Sequence, residues 1–428
     1  MATVAYKCPN CASPLTYDGA SGKMICAACD SQFAQEDIEI LNAPEDSSTI
    51  DFATPTAQYS AADAAQMQAY HCKSCGAELI TEGTTTATEC PYCGSPTILP
   101  DRIDGGIRPE MVVPFVITKE QAQQAFENYF KGKKLLPNIF KRDNRIAEMR
   151  KLFVPYWLFD CEAEGDIIYN AEKRHTHREG EYEVTTVEHY IVRRTGSMHF
   201  ENIPVDGSIK MDNRITESLE PYDLTKAVPF QPTVLSGAMA DHADVDADAC
   251  EKRATERVES SMVNALRNTV RGYDSVTVRS KNISASGGKV TPVLMPVWLI
   301  TTKKDDKVYT FAINGQTGEL TCDVPTDKGK AALWGAGVFA GVFGIAALVL
   351  YLLKMLGSGT LLIAGLAALF AALVVVFSLI GQLKQAVSKT SAEGYSAEGC
   401  KLSIEYDRFL YANTTRRKIE TQNKSASA

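Results

Sequence analysis

The apolar positions of this 428-residue chain follow different periods in different regions. Near the end lie two charge-free apolar runs, 331–353 and 361–380, of 23 and 20 residues. A helix needs ~20 such residues to cross ~30 Å of hydrocarbon. Only 354–360 separates the runs, so the pattern predicts a helical hairpin that crosses a membrane and returns. Trp334 and Tyr351 suit interfacial positions. Gly337 and Gly341 in the first run, and Ala364, Ala368 and Ala372 in the second, form small-residue faces. Such faces let helices approach closely, within the hairpin or against another small-residue-rich membrane helix. Neither run holds an ionisable residue, so no proton or ion path through the hairpin is expected.

Before the hairpin, 101–325 has the mixed periods of an α+β region. Thr118-Lys-Glu-Gln121 is a capping-box pattern opening a helix with Ala122, Ala125, Phe126, Tyr129 and Phe130 on one face. A second, more basic helix is predicted over 138–151. A strand follows at 152–160, with alternating segments to about Phe200 that predict a hairpin. A long helix is predicted over 244–271, then strands at 276–278 and 290–300, and a segment 308–320 containing an Asn314-Gly315 turn signal. Pro155-Tyr-Trp-Leu158 and Pro296-Val-Trp-Leu299 read as one strand used twice, each after a helix and before a hairpin. A pseudo-duplicated α+β domain is therefore expected, with Trp157 and Trp298 as core residues.

The first hundred residues have too few apolar positions for a core and many cysteines instead. Cys8-Pro-Asn-Cys11 precedes Cys26-Ala-Ala-Cys29, and Cys72-Lys-Ser-Cys75 precedes Cys90-Pro-Tyr-Cys93. Each of the second four lies 64 positions beyond its counterpart, and Tyr6 and Leu15 match Tyr70 and Leu79 at the same offset. This is an internal duplication. Two C-x-x-C knuckles can place four thiolates about one ion at ~2.3 Å. The expectation is two closed, structural Zn2+ sites, with the metal supplying folding energy; a rubredoxin-like iron would use the same four ligands. Gly76 and Gly94 follow the last cysteine of a knuckle and allow positive φ, whereas Ala12 and Asp30 hold those places in the first ribbon. Between the ribbons, 41–69 is rich in Ala, Ser, Thr and Asp and reads as a flexible linker that lets them move independently. The expected division is ribbon 1 at 1–40, linker 41–69, ribbon 2 at 70–100, α+β domain 101–325, membrane hairpin 331–380 and tail 381–428.

Charge changes the picture at both ends. Residues 1–100 carry three lysines, no arginine and twelve acids, a net −9. A phosphate backbone would repel such a segment, so protein contact is favoured over nucleic acid. Lys328 and Lys330 precede the hairpin, Lys384, Lys389 and Lys401 follow it, and the turn holds only Lys354. This bias puts both termini in the cytoplasm, where disulfides are rare. The N-terminus shows no signal-peptide pattern.

Other motifs fail on their chemistry. Asp244, Asp246 and Asp248 begin like a calcium loop, but Ala249 and Thr255 occupy its glycine and glutamate positions. His175 and His177 have no partner at ligand spacing. Ser286-Gly287-Gly288-Lys289 lacks the rest of a Walker A loop. Cys161, Cys250, Cys322 and Cys400 are isolated packing residues. No enzyme constellation emerges, and no catalytic activity is expected.

Paired CxxC…CxxC ribbons, repeated P-x-W-L strands and a two-span hairpin with a tail resemble the bacterial TFIIB-type zinc-ribbon-containing membrane proteins. The resemblance implies that Cys8, Cys11, Cys26, Cys29, Cys72, Cys75, Cys90 and Cys93 are zinc ligands. Some relatives are encoded beside an SPFH (stomatin-like) protein and a phage-shock-protein-A homologue and help bring them to the membrane. The expectation is a membrane-anchored cytoplasmic adaptor at the inner membrane that recruits protein partners, in the setting of membrane-stress organisation. The alternative is a membrane-tethered nucleic-acid-binding or transcription-associated protein.

Overall fold

The computed structural model describes residues 6–42, 46–85, 87–96, 98–101, 106–137, 149–304, 307–322, 326–355, 357–383 and 386–419. The chain begins with a three-stranded antiparallel sheet, β1 (Thr16–Asp18), β2 (Lys23–Ile25) and β3 (Gln32–Ala34), followed by α1 (Gln35–Leu41). Ile38, Ile40 and Leu41 of α1 pack with Leu15, Met24 and Phe33. Next come β4 (Ser47–Ala53), α2 (Ala61–Ala64), β5 (Met67–Cys72), β6 (Glu78–Glu82), β7 (Ile98–Asp101) and β8 (Met111–Val112). The helix α3 (Lys119–Phe130) carries the expected Thr118/Gln121 capping box. The strands β9 (Arg150–Glu179) and β10 (Tyr182–Asp206) form a long hairpin. They lead to α4 (Asn213–Ser218), β11 (Val228–Pro229), β12 (Met239–Asp241) and α5 (Ala247–Thr269). The strands β13 (Ser275–Lys304), β14 (Lys307–Asn314) and β15 (Leu320–Cys322) precede α6 (Lys328–Leu352) and α7 (Ser358–Gly381), and β16 (Lys401–Lys418) ends the series.

Thirteen of these strands make one sheet, with β9 between β10 and β13. Strands of 30 residues represent on the order of 90–100 Å of extended chain. The expected strands at 152–160, 276–278 and 290–300 are pieces of β9 and β13. Bulges break their alternation, between Val278 and Ser280 and between Ser286 and Lys289. The second bulge explains the Ser286–Lys289 motif. There β4 runs parallel to β13, and a Cβ on Gly288 would stand 2.3 Å from the Asp51 carbonyl oxygen. Part of the expected helix at 138–151 lies outside the described residues; Arg150 and Lys151 belong to β9.

Two expectations need correction. The segment 41–69 is not a flexible linker along its described length: β4 lies on β13, α2 is closed by a Ser60/Asp63 capping box, and β5 enters the large sheet. The tail is likewise part of the fold, because β16 pairs with β10 from Tyr182↔Lys418 to Ser197↔Lys401. Its pairing partner is more than 200 positions away, so local pattern could not reveal it.

The pseudo-duplication is visible in the register. β8 runs parallel to β13 with Met111↔Val293 and Val112↔Leu294, and β12 runs parallel to β9 with Met239↔Leu152 and Ala240↔Phe153. Met111 and Met239 are 128 positions apart, and Leu152 and Val293 are 141 apart, the same offset as Trp157 and Trp298. The Trp157 indole donates to the carbonyl of Val245, just before the N-cap of α5, at 2.9 Å. The Trp298 indole donates to Ile117, just before the N-cap of α3, at 3.4 Å. Ile117 and Val245 are again 128 apart. Each half therefore inserts its tryptophan beneath the other half's helix, and both tryptophans are buried. A buried indole N–H needs such an acceptor, so the hydrogen bonds interlock the halves.

The two apolar helices are long and apolar enough to cross a membrane and remain almost wholly outside the core, with 0% and 11% of their most apolar windows buried. A core helix of a soluble protein would be covered. Ala364, Ala368 and Ala372 are buried, so the alanine face closes the hairpin on itself. Gly337 and Gly341 face away from it. At the base, Ala331, Leu379, Ile380 and Leu383 join the cluster around α3 and Trp298. Lys330 donates to the Leu136 carbonyl at 2.6 Å, and the Lys134 ammonium lies 4.0 Å from the Trp334 ring centre. Beyond the second helix, Arg253 and Arg257 of α5 donate to the carbonyls of Lys389 and Ser391. The fully buried Arg257–Glu220 ion pair, joined by the Tyr395 hydroxyl, sits under that segment.

Candidate metal centres

Each ribbon brings its four cysteines to one point. The four sulfurs of Cys8, Cys11, Cys26 and Cys29 lie within 4.8 Å of one another, as do those of Cys72, Cys75, Cys90 and Cys93. The shortest separations are 3.6 Å for Cys8–Cys29, 3.4 Å for Cys11–Cys26, 3.7 Å for Cys72–Cys93 and 3.6 Å for Cys75–Cys90. Four thiolates at ~2.3 Å from one ion stand ~3.8 Å apart in a tetrahedron, so both sets fit a four-coordinate metal. Soft thiolate ligands in that geometry suit zinc or iron.

The knuckles are built by repeated turns. Amide hydrogen bonds run from Cys8 to Ser13, Cys26 to Ser31, Cys72 to Ala77 and Cys90 to Ser95, at 2.8–3.0 Å. The residue after each knuckle has positive φ: Ala12 62°, Asp30 54°, Gly76 71° and Gly94 68°. Ribbon 1 thus adopts the glycine conformation without glycine. For Ala12 this left-handed backbone costs about 1–2 kcal/mol. Burial pushes the Cys8 thiol up to about 12, and the Ser31 hydroxyl brings Cys29 down to about 6. Metal binding must displace the proton that burial retains on Cys8.

The ribbons are seated differently. Ribbon 1 keeps its own small sheet and rests on β9, β10 and β16, against Ile168, Ile191, Tyr406 and Tyr411. Tyr406 donates to Asp37 at 2.7 Å and Tyr411 to the Pro9 carbonyl at 3.1 Å. Ribbon 2 is part of the large sheet through β5, β6 and β7. Tyr92, between Cys90 and Cys93, is buried and donates at 2.5 Å to the buried Asp241, which also accepts from Ser208. Lys210 donates to the Cys75 carbonyl at 2.9 Å. Sequence spacing located the ligands but not this seam, whose partners lie 135 and 149 positions away.

The weaker candidates stay apart. His175 is exposed, with a ring nitrogen 3.8 Å from a Glu188 carboxylate oxygen. Asp246 is the N-cap of α5, Asp244 accepts from the Ile209 amide and Asp248 from Thr54. Cys161, Cys250 and Cys322 are buried in the clusters and Cys400 packs against one.

The fold and sites define a class: two four-cysteine ribbons, a duplicated α+β sheet domain and a C-terminal pair of apolar helices consistent with a hairpin. No family model and no solved structure matches the chain. The chain belongs to the family of uncharacterized protein YdjG of Bacillus subtilis (strain 168), to which it is 35% identical over 340 residues, 79% of this chain and 95% of that protein.

Proposed function

We propose that the chain is a membrane-anchored cytoplasmic adaptor, with zinc in both ribbons and ribbon 1 as its recognition module. The observation that carries this reading is an open apolar groove of about 370 Å³ on ribbon 1, lined by Tyr6, Tyr17, Met24 and Ile38 with Gln35 and Glu39. Tyr17 is 59% exposed. Aromatic residues and methionine are enriched where protein surfaces meet, and the acidic front end disfavours nucleic acid. Ribbon 2 is committed to the sheet and serves as a structural element. Zinc is preferred over iron because a closed, four-thiolate structural site needs no redox chemistry. The hairpin is the anchor, and Lys133, Lys134, Lys328 and Lys330 at its open end favour a cytoplasmic domain.

By the family resemblance, the partners are SPFH (stomatin-like) or phage-shock-protein-A-like proteins gathered at the inner membrane under membrane stress. Crosslinking in intact cells, followed by identification of captured proteins, tests the reading. Tyr17→Asp and Cys11→Ser should abolish capture while the chain remains in the membrane fraction. Unchanged capture by both variants would sink the role of ribbon 1.

A further inference from the structure

One of the differences between the duplicated halves is a site. Beside Trp298 lies a cavity of about 390 Å³, within the ~300–1,000 Å³ of small-molecule pockets. Its apolar lining includes Trp298, Met149 and Met239, its cations are Lys119, Arg150 and Lys151, and the carboxylate of Glu89 also lines it. Arg150 is paired with Glu89. Lys119 and Lys151 have no carboxylate within ion-pair distance among the described residues. The Lys151 ammonium lies over two rings, 5.3 Å from the centre of Phe115 and 5.5 Å from that of Trp298.

The other half acts as an internal control. By the 128- and 141-position offsets, Lys119 corresponds to Ala247, Arg150 to Thr291, Lys151 to Pro292 and Phe115 to Ala243. Lys151 lies opposite Trp298 across the β9–β13 ladder, and Pro292 lies opposite Trp157 in the same way. The fold therefore closes over Trp157 without a single one of these charges. The cations around Trp298 are not a requirement of the architecture; with Arg150 neutralised by Glu89, Lys119 and Lys151 facing an aromatic-floored cavity are the donor set of an anion site.

We propose that this pocket binds a phosphate monoester, with Lys119 and Lys151 on the phosphate and the organic part over Trp298 and the two methionines. Trp298 and Met149 belong to the apolar cluster that includes Ala331, Leu379 and Ile380 at the base of the hairpin. Two sources fit this chemistry: a phospholipid headgroup such as phosphatidic acid, or a soluble phosphate ester.

The test uses the full chain in phosphatidylcholine nanodiscs, with calorimetry and thermal shift as readouts. One arm adds glycerol 3-phosphate, and the other includes phosphatidic acid in the disc. Saturable stabilisation is expected in at least one arm, and the responding arm assigns the source. Lys151→Gln should weaken it about tenfold or more, as loss of a charge-assisted contact does. Lys173→Gln, which removes a lysine stacked on Tyr190 and Tyr273 far from the pocket, should leave it unchanged. Both glutamine variants keep an aliphatic stem of similar reach over the rings while removing the charge, so equal responses in wild type and Lys151→Gln, or no response in either arm, would overturn the proposal.

Discussion

Ribbon 1 and ribbon 2 share a cysteine spacing, four equivalent turns and a sulfur geometry, yet they belong to different levels of the structure. Ribbon 1 completes its own sheet and touches the domain through Asp37, Pro9, the Leu41 carbonyl that accepts from Arg279, and an apolar contact on β9, β10 and β16. Ribbon 2 contributes three strands to the main sheet and sinks Tyr92 onto Asp241. A metal that organises ribbon 1 stabilises a module; the same metal in ribbon 2 stabilises the platform that meets the hairpin. Duplication of a metal motif thus does not duplicate its role, because the role is set by what the strands pair with.

The largest expected effect separates the two at once. Cys90→Ser should lower the stability of the whole domain by several kcal/mol, since binding energy at a structural zinc site, about 10–16 kcal/mol gross, is folding energy. Cys11→Ser should leave the main unfolding transition in place. Thermal denaturation in nanodiscs reads both, and equal losses would break the comparison.

A smaller effect tests the seams. Tyr92→Phe should cost about 1–3 kcal/mol because it removes a buried donor from Asp241. Tyr406→Phe at the ribbon 1 seam should cost less, because Asp37 is also 3.8 Å from Arg408. Chemical denaturation of the two variants ranks them.

The platform is also pH-dependent. Burial pushes Asp206 and Asp241 up to about 7, above the ~3.9 of an unfolded aspartate. The folded state therefore holds protons that the unfolded state has lost. Their contribution to stability is fully present below about pH 4, is lost as pH rises toward 7 and is flat above it. Asp206 accepts from Thr216, is repelled by the nearby Glu217 and Glu220 and has one oxygen without a partner. Asp206→Asn should make the decline shallower, by on the order of 1–2 kcal/mol at pH 8, as read by denaturation at several pH values. Asp241 supplies the slope that remains.

The smallest effect is local to ribbon 1. Ala12→Gly should stabilise it by about 1 kcal/mol, because glycine adopts φ 62° without Cβ strain. Competition for metal with a chromophoric chelator should show tighter retention in that ribbon alone.

What was legible in the sequence was whatever depends on local spacing. The eight cysteines, α3 with its Thr118 cap, α5 and the apolar pair all follow from turns, 3.6-residue periods or uninterrupted hydropathy. The P-x-W-L repeat also held, and the register shows why: both copies serve the same interlock. What stayed hidden depends on distant partners. β4 is a composition-poor strand that pairs only because Gly288 allows it close to β13. β16 alternates over Leu402, Ile404 and Tyr406 but ends in the polar run 413–418, and only β10 supplies its place in the sheet. The seam at Tyr92 looked like an ordinary knuckle residue until Asp241 was brought beneath it.

The measurement that bears most directly on the account is hydrogen–deuterium exchange of the full chain in nanodiscs, comparing Cys11→Ser with Cys90→Ser. Cys11→Ser should accelerate exchange in residues 6–41 and leave β6, β9 and β12 protected. Cys90→Ser should accelerate exchange in β6, β12, the start of β9 and α4. The same pattern of deprotection in both variants, or protection of β9 and β12 in Cys90→Ser, would contradict the division between a detachable ribbon and a structural one.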